Sequence, residues 1–374
     1  MITIIEVKTK KDLKKFVQFP IDLYKDNEYF VPALTMDEMD NFNPKKNPAY
    51  EFCETKLFLA YKDKRVVGRI CGLINYAYIK KINKNIMRFT RFDVIDDIEV
   101  TKALVEAVKD WGRSKGIYSI MGPIGFTDID KQGMLVEGFE EMNLSITLYN
   151  YEYYQKHLEQ LGFVKDADWV EYQISIPENL DPRIDRISDV VKKRYGFKRL
   201  TFERNKDLVP YAREAFKVIN EAFAKLYGTV PLTEAIIEKA IKEYIPLVNL
   251  DFVIVISNKE EEIIGFGLLV PSLASATKKS KGRLLPFGIF RLLKALKTFD
   301  ILEMYFIAVK PEYQNMGVNA IVMSEAIKEG IKHKVKFAET GPELETNNNV
   351  QDQWKNFNSR QHRRRRCYIN HFDK

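Results

Sequence analysis

At 374 residues the chain exceeds what one hydrophobic core usually organises, which predicts two domains. Its 45% apolar and 30% charged residues are those of an ordinary soluble globular protein. The formal charge of +7 suits an anionic ligand, a membrane surface or nucleic acid, and does not choose among them. Met1 to Lys15 alternates apolar and charged residues, unlike the apolar core of a signal peptide, and no stretch reaches the roughly 18 apolar residues of a membrane span. Three widely spaced cysteines (Cys53, Cys71, Cys367) and four scattered histidines argue against a disulfide frame and against a metal site. The expected address is the cytoplasm.

In chain order, a helix is expected over Lys11 to Tyr24, followed by a β-hairpin from Leu57–Tyr61 and Val66–Ile74 around the polar turn at 62–65. A strand (Met87 to Val94), a helix (Val100 to Lys115) and a strand (Tyr118 to Gly122) come next. The helix shows Ala103, Val105, Ala107, Val108 and Trp111 at three- and four-residue spacing. Its start, Ile95–Val100, carries Asp96, Asp97 and Glu99 and no glycine, so it stabilises its own dipole and repels an anion. Glu137 and the tyrosine cluster 149–154, with Tyr149 and Tyr153, are candidates to line an acceptor pocket. Pro177, Pro182 and a charged stretch up to Gly196 read as the domain boundary.

The second half repeats the plan. Helices over Leu208 to Leu226 and Thr233 to Tyr244 precede a hairpin of Phe252–Ile256 and Ile263–Val270, and a glycine stands third in the second strand of both hairpins (Gly68, Gly265). Lys278 to Lys297 is basic and apolar. Ile289, Leu292, Leu293 and Leu296 form one helical stripe, with Arg291, Lys294 and Lys297 beside it. Such a segment either packs on its own domain, or lies at a membrane surface or covers a hydrophobic ligand. A strand (Leu302 to Val309), a helix (Val318 to Lys332) and a strand (Val335 to Glu339) follow. Alternating strands and helices predict an α/β fold, each half a mixed sheet flanked by helices. Arg363 to Arg366 suggests a strand sending alternate arginines to opposite faces, either meeting phosphates or lining a charged edge. No groove-entering motif accompanies them, so DNA is not an expected partner.

Between strand and helix of the second half lies Lys310-Pro-Glu-Tyr-Gln-Asn-Met-Gly317. A Gly-containing strand-to-helix turn leaves backbone N–H groups unpaired and adds helix-dipole charge, a ready diphosphate site. Val309-x-Pro311-x-x-Gln314-x-x-Gly317 resembles the acyl-CoA signature of the GNAT superfamily, and Asn347–Trp354 is similar to that family's next helix. Gly133–Phe139, Tyr149–Tyr154 and His362–Arg366 further resemble an uncharacterised bacterial double-GNAT group, over nearly the whole chain. The resemblance implies two tandem GNAT-like domains, 1–178 degenerate and without a CoA loop, and 197–374 with one. It implies acetyl-CoA or a longer acyl-CoA as co-substrate and no metal. The pyrophosphate would sit on the amides of Gln314, Asn315, Met316, Gly317, Val318 and Asn319, and the pantetheine arm along Ile307 and Val309. Asn319 replaces the family's usual Gly or Ala, and Trp354 stands where many members have the tyrosine that protonates the thiolate.

GNAT chemistry needs a base for the amine. Glu303, on the strand before the loop, is the first candidate and shares a face with Tyr305 and Ile307, while Glu339 is the second. The expected function is acyl transfer from acyl-CoA to an amine, with a lipid or long-chain amine favoured by the 278–297 segment, which also suggests contact with the inner membrane surface. Two alternatives stay open: an aminoacyl-tRNA-dependent transferase of the Fem type, which leaves tRNA as a partner, and a binding protein that has lost the chemistry.

Overall fold

The computed structural model describes residues 1–373. The first half comprises β1 (Ile2–Glu6), α1 (Lys10–Leu23), α2 (Thr35–Asn41), β2 (Cys53–Lys62), β3 (Arg65–Asn75), α3 (Tyr76–Ile82), β4 (Met87–Val94), α4 (Ile98–Ser114), β5 (Ser119–Gly122), β6 (Met134–Glu137), α5 (Tyr153–Gln160) and β7 (Val164–Ser175). After α6 (Pro182–Tyr195) and β8 (Lys198–Leu200) come α7 (Val209–Ala222), α8 (Glu234–Tyr244), β9 (Val253–Ser257), β10 (Ile263–Pro271), α9 (Ala274–Lys279), α10 (Gly288–Ala295), β11 (Ile301–Val309), α11 (Val318–Lys332), β12 (Phe337–Thr340), β13 (Glu343–Leu344), α12 (Asn348–Trp354) and β14 (Ser359–His371).

Both hairpins form where the alternation places them, and the glycines in their second strands have one cause. A Cβ on Gly68 would lie 2.7 Å from Leu104 of α4, and a Cβ on Gly265 would lie 2.8 Å from Val318 of α11. Gly72 and Gly267 meet Val108 and Val322 in the same way. The bare strand lets the long helix lie flat on the sheet. The buried faces of α4 (Val100, Leu104, Val108) and α11 (Ile321, Val322, Ala326) close the two cores against it.

The halves do not keep separate sheets. The strand order is β1-β2-β3-β4-β5-β14-β7-β12-β11-β10-β9-β8. β14, the last strand of the second half, enters the first half beside β5, and β7, the last strand of the first half, enters the second beside β12. These two long strands then pair with each other antiparallel at the centre. Each half thus borrows its partner's final strand, and one mixed sheet results with helices on its faces.

The stretch read as the domain boundary contains the helix α6. Asp181 caps it, Gly196 ends it in the left-handed region, and Lys192–Glu325 (2.6 Å) and Asp185–Lys328 (2.6 Å) fasten it to α11. Its charge density is one side of a helix–helix contact.

Candidate active site

Glu303 and Glu339 are register partners on the parallel strands β11 and β12, and both side chains are buried. Their surroundings differ. Glu339 accepts from Arg363 Nη2 (2.8 Å) and Gln173 Nε2 (3.0 Å), so its negative charge is matched. Among the described residues Glu303 has no cation in contact. Its Oε1 accepts from the Ser272 hydroxyl (2.7 Å), and its Oε2 is buried without a partner. Burial, then the Glu339 charge, push its carboxyl up to about 7 against the pull of Ser272. A carboxyl poised there, with one free oxygen, has the properties of a general base. Tyr305, on the same strand face, is raised well above the ordinary phenol range by burial and by the Glu303 charge.

The far end of β11 is the phosphate-type turn. After the short turn at 311–313, Asn315 and Gly317 adopt left-handed conformations (φ 65° and 84°). Among the described residues, the amides of Gly317, Val318 and Asn319 donate to no protein group, and Asn319 at the head of α11 is exposed. β11 pairs with β12 only from Ile301 to Met304. From Tyr305 to Val309, Ile307 included, its side away from β10 has no strand partner. An open strand edge therefore leads from the base to the amide turn, about 20 Å over six residues. Gly317 has a second duty: a Cβ there would lie 2.6 Å from Val191 of α6, so packing as well as ligand approach excludes a side chain.

In the first half the corresponding places are filled. Asp97 caps α4 by accepting from the Glu99 amide (3.1 Å) and pairs with Lys62 (2.9 Å). β4 and β5 also part early, after Arg88 and Met121. There the amide of Val94 donates to Tyr154 Oη (2.8 Å) while Tyr153 donates to the Val94 carbonyl (2.6 Å). Tyrosines occupy the space that the second half leaves open.

Several residues expected at the site are placed elsewhere. Tyr149 is buried in the first-half core, donating to the Phe139 carbonyl (3.0 Å) and accepting from Asn27 (2.9 Å). Tyr153 plugs the β4 edge, and Glu137 is exposed beside Arg364 (3.2 Å). These three are core and surface groups that the fold does not gather around Glu303. The four arginines do alternate between faces, but on the central strand β14 rather than at an edge, and each has a carboxylate partner within the chain. Arg363 and Arg365 share buried Glu171, and Arg364 and Arg366 meet Asp168 and Glu345. Trp354 is buried, and its indole donates to Glu343 (2.9 Å). Although the histidines are scattered in the sequence, His333 meets Asp251 and Glu329 in one cluster, whose carboxylates pair with Lys332 and Arg199.

Sequence reasoning missed the segment that walls the base. Arg363 Nη1 donates to the Met142 carbonyl, and Arg365 reaches Asn143 and Thr147 (2.9 Å each). Together they latch the 142–148 loop onto β14. The Ser145 amide in that loop faces Glu303, and its buried hydroxyl has no partner. Glu343 was missed too; burial raises its carboxyl to about 8. Neither had a motif: the loop is irregular, and Glu343 is made unusual by burial alone.

No family model matches the chain. It is 27% identical over 369 residues to Protein YghO of Escherichia coli, covering 96% of this chain and 93% of that one. It is 28% identical over 304 residues to the bacterial ceramide synthase of Caulobacter vibrioides, covering 79% and 77%. Among solved structures it is similar to a tandem GNAT protein from the clavulanic acid biosynthesis pathway, with a TM-score of 0.57, 9% identity and coverage of 100% and 99%. The repeat, the early parting of β11 and β12 and the amide turn before α11 agree with that likeness, and the chain has the tandem GNAT fold.

Proposed function

We propose that the protein is an acyl-CoA-dependent N-acyltransferase in which Glu303 takes the proton from an acceptor amine. The observation that carries this reading is the placement of a buried carboxyl with one partnerless oxygen and an exposed amide turn at the two ends of one open strand edge. A CoA pyrophosphate on the amides of Gly317, Val318 and Asn319 would send its pantetheine arm along Ile307 and Val309 towards Glu303. The neutral amine attacks the thioester carbonyl, its proton passes to Glu303 Oε2, and the thiolate leaves. Ser272 and the Ser145 amide orient the carboxylate, and the 142–148 loop shields it from water. The similarity to a ceramide synthase favours a long-chain amine as acceptor and a long acyl donor.

The test is thermal unfolding with CoA, acetyl-CoA and palmitoyl-CoA, combined with release of free thiol when a sphingoid base is added. Ligand at a hundred times its Kd stabilises the fold by about 2.7 kcal/mol. The variant for the donor site is Asn319→Glu, because position 319 is exposed and tolerates a new side chain, whereas any side chain at Gly317 meets Val191. Stabilisation by thioesters that disappears in Asn319→Glu supports the reading. No stabilisation of the folded protein by any of the three overturns it in favour of a tRNA-dependent transferase or a binding protein.

A further inference from the structure

The 278–297 segment is placed on the surface and is not packed in the way an ordinary amphipathic helix would be. α9 is anchored: Ala274, Ala276 and Thr277 are buried, the Gly282 carbonyl accepts from the Thr35 amide (2.8 Å), and Lys278 donates to the Glu28 carbonyl. Beyond that anchor the apolar side chains point to solvent. Leu285 is 78% exposed, Phe287 66%, Phe290 68% and Leu293 46%. Of the predicted stripe only Leu292 is buried. Two phenylalanines and two leucines within nine residues form an apolar face that the protein itself does not cover.

The charge around this face is of one sign. Lys279, Lys281, Arg283, Arg291, Lys294 and Lys297 are exposed, and among the described residues none of them has an acidic partner. No aspartate or glutamate occurs from Ile263 to Phe299. The seven cations of 278–297 equal the entire charge excess of the chain, so the remainder of the sequence is balanced. A second copy of this face would meet like charge, and a solvated helix needs no phenylalanines. An anionic lipid surface satisfies both features, the cations at the headgroups and Phe287, Phe290 and Leu293 in the acyl boundary.

We propose that this face docks the protein on an anionic lipid bilayer. No helix of the described residues is long and apolar enough to cross a membrane, so the contact is peripheral. The docked segment is continuous with the base. Ser272, which donates to Glu303, precedes α9 by a single residue, so the docked segment adjoins the base along the chain. Docking needs no acyl donor and stands or falls independently of the transfer reaction.

The experiment is co-sedimentation of the full chain with phosphatidylcholine vesicles and with phosphatidylcholine–phosphatidylglycerol vesicles, at low and high salt. The variants are Phe287→Ser with Phe290→Ser, and Arg291→Glu with Lys294→Glu and Lys297→Glu. All five positions are exposed, and unchanged melting establishes that the variants fold. The wild type should bind only the anionic vesicles and release at high salt. The charge-reversed variant should lose about a hundredfold or more in partitioning. The serine variant should lose binding at any salt. Failure to bind anionic vesicles, or binding that both variants retain, overturns the proposal. A soluble dimer that the serine variant dissociates also overturns it, because a second copy would then be the occupant.

Discussion

Glu303 and Glu339 stand side by side across the parallel strands β11 and β12, yet of the two only Glu339 makes an ion pair with Arg363. The pair is thereby divided into a carboxylate held by a guanidinium and a neighbour held only by a serine hydroxyl, and the sequence, which offered both as bases, did not distinguish them. Activity should depend on the second. Glu303→Gln is expected to lower kcat by 10²- to 10⁴-fold, the range of a lost general base, with little change in acyl-CoA binding. The rate at low amine concentration should rise with pH through an apparent pKa near 7, because the base works only when deprotonated. A profile without that ascending limb, measured with an amine that is itself neutral over the range, would exclude Glu303 as the base.

The same carboxyl makes a prediction about stability with the opposite sign. Its folded value, about 7, lies above the ordinary 4.5, so the folded state holds a proton that the unfolded chain gives up. Its contribution is fully present below pH 4.5 and is lost as pH rises through 7. Glu343, raised to about 8, adds to the same trend. Glu303→Gln removes the cost of charging a buried group and should raise the melting temperature at pH 8 while leaving it unchanged at pH 4. Equal shifts at both values would show that the carboxyl is not held protonated. An inactive variant that is more stable at alkaline pH is the expected combination, since the functional site is where stability is given up.

Glu171 tests the latch. It is fully buried and receives both Arg363 and Arg365, whose other donors hold the 142–148 loop. Glu171→Gln leaves two buried guanidinium groups sharing less countercharge, and chemical denaturation should show a loss of about 3–5 kcal/mol, as for a broken buried ion pair. Glu171→Ala should be worse. A loss below 1 kcal/mol would mean that water or Glu339 takes over, and the loop would then not be held by the arginine pair.

What the sequence disclosed and what it hid divide along physical lines. The hairpins, α4 and α11 were legible because alternation and three-to-four spacing report burial of one face, and the turn at 310–317 because proline and glycine at fixed spacing report backbone shape. The exchange of β7 and β14 was not legible. Arg363 to Arg366 in the sequence carries no record that Glu171 and Asp168, nearly two hundred residues away, meet alternate members of the run. Tyr149 and Tyr153 misled for a related reason: a tyrosine whose hydroxyl is satisfied in a core has the same spelling as one lining a pocket. α6 was hidden because two prolines and a run of charges, the latter here paired with α11, interrupt the strand pattern.

Gly317 joins two requirements that a double substitution separates. Its φ of 84° disfavours any side chain, and Val191 occupies the space a Cβ would take. Gly317→Ala should destabilise the fold by about 1–3 kcal/mol, from backbone strain and overpacking together. Adding Val191→Ala should recover the packing part and leave the strain. If the double variant is no more stable than Gly317→Ala in equilibrium unfolding, the contact with α6 is not what keeps the position bare.

Tyr154 provides the converse experiment in the first half. Its hydroxyl accepts from the Val94 amide (2.8 Å) and lies 2.7 Å from the Tyr24 hydroxyl, which in turn donates to Asp93 (2.9 Å). The network is buried, so Tyr154→Phe leaves the Val94 N–H unsatisfied and should cost about 1–3 kcal/mol. On the proposed reading the donor binds at the β11 edge alone, so any stabilisation by acyl-CoA should be the same in the variant and the wild type. A variant that binds a second equivalent of CoA by calorimetry would show instead that the tyrosines are a gate, and that Asp97 at the head of α4 does not by itself keep a diphosphate out.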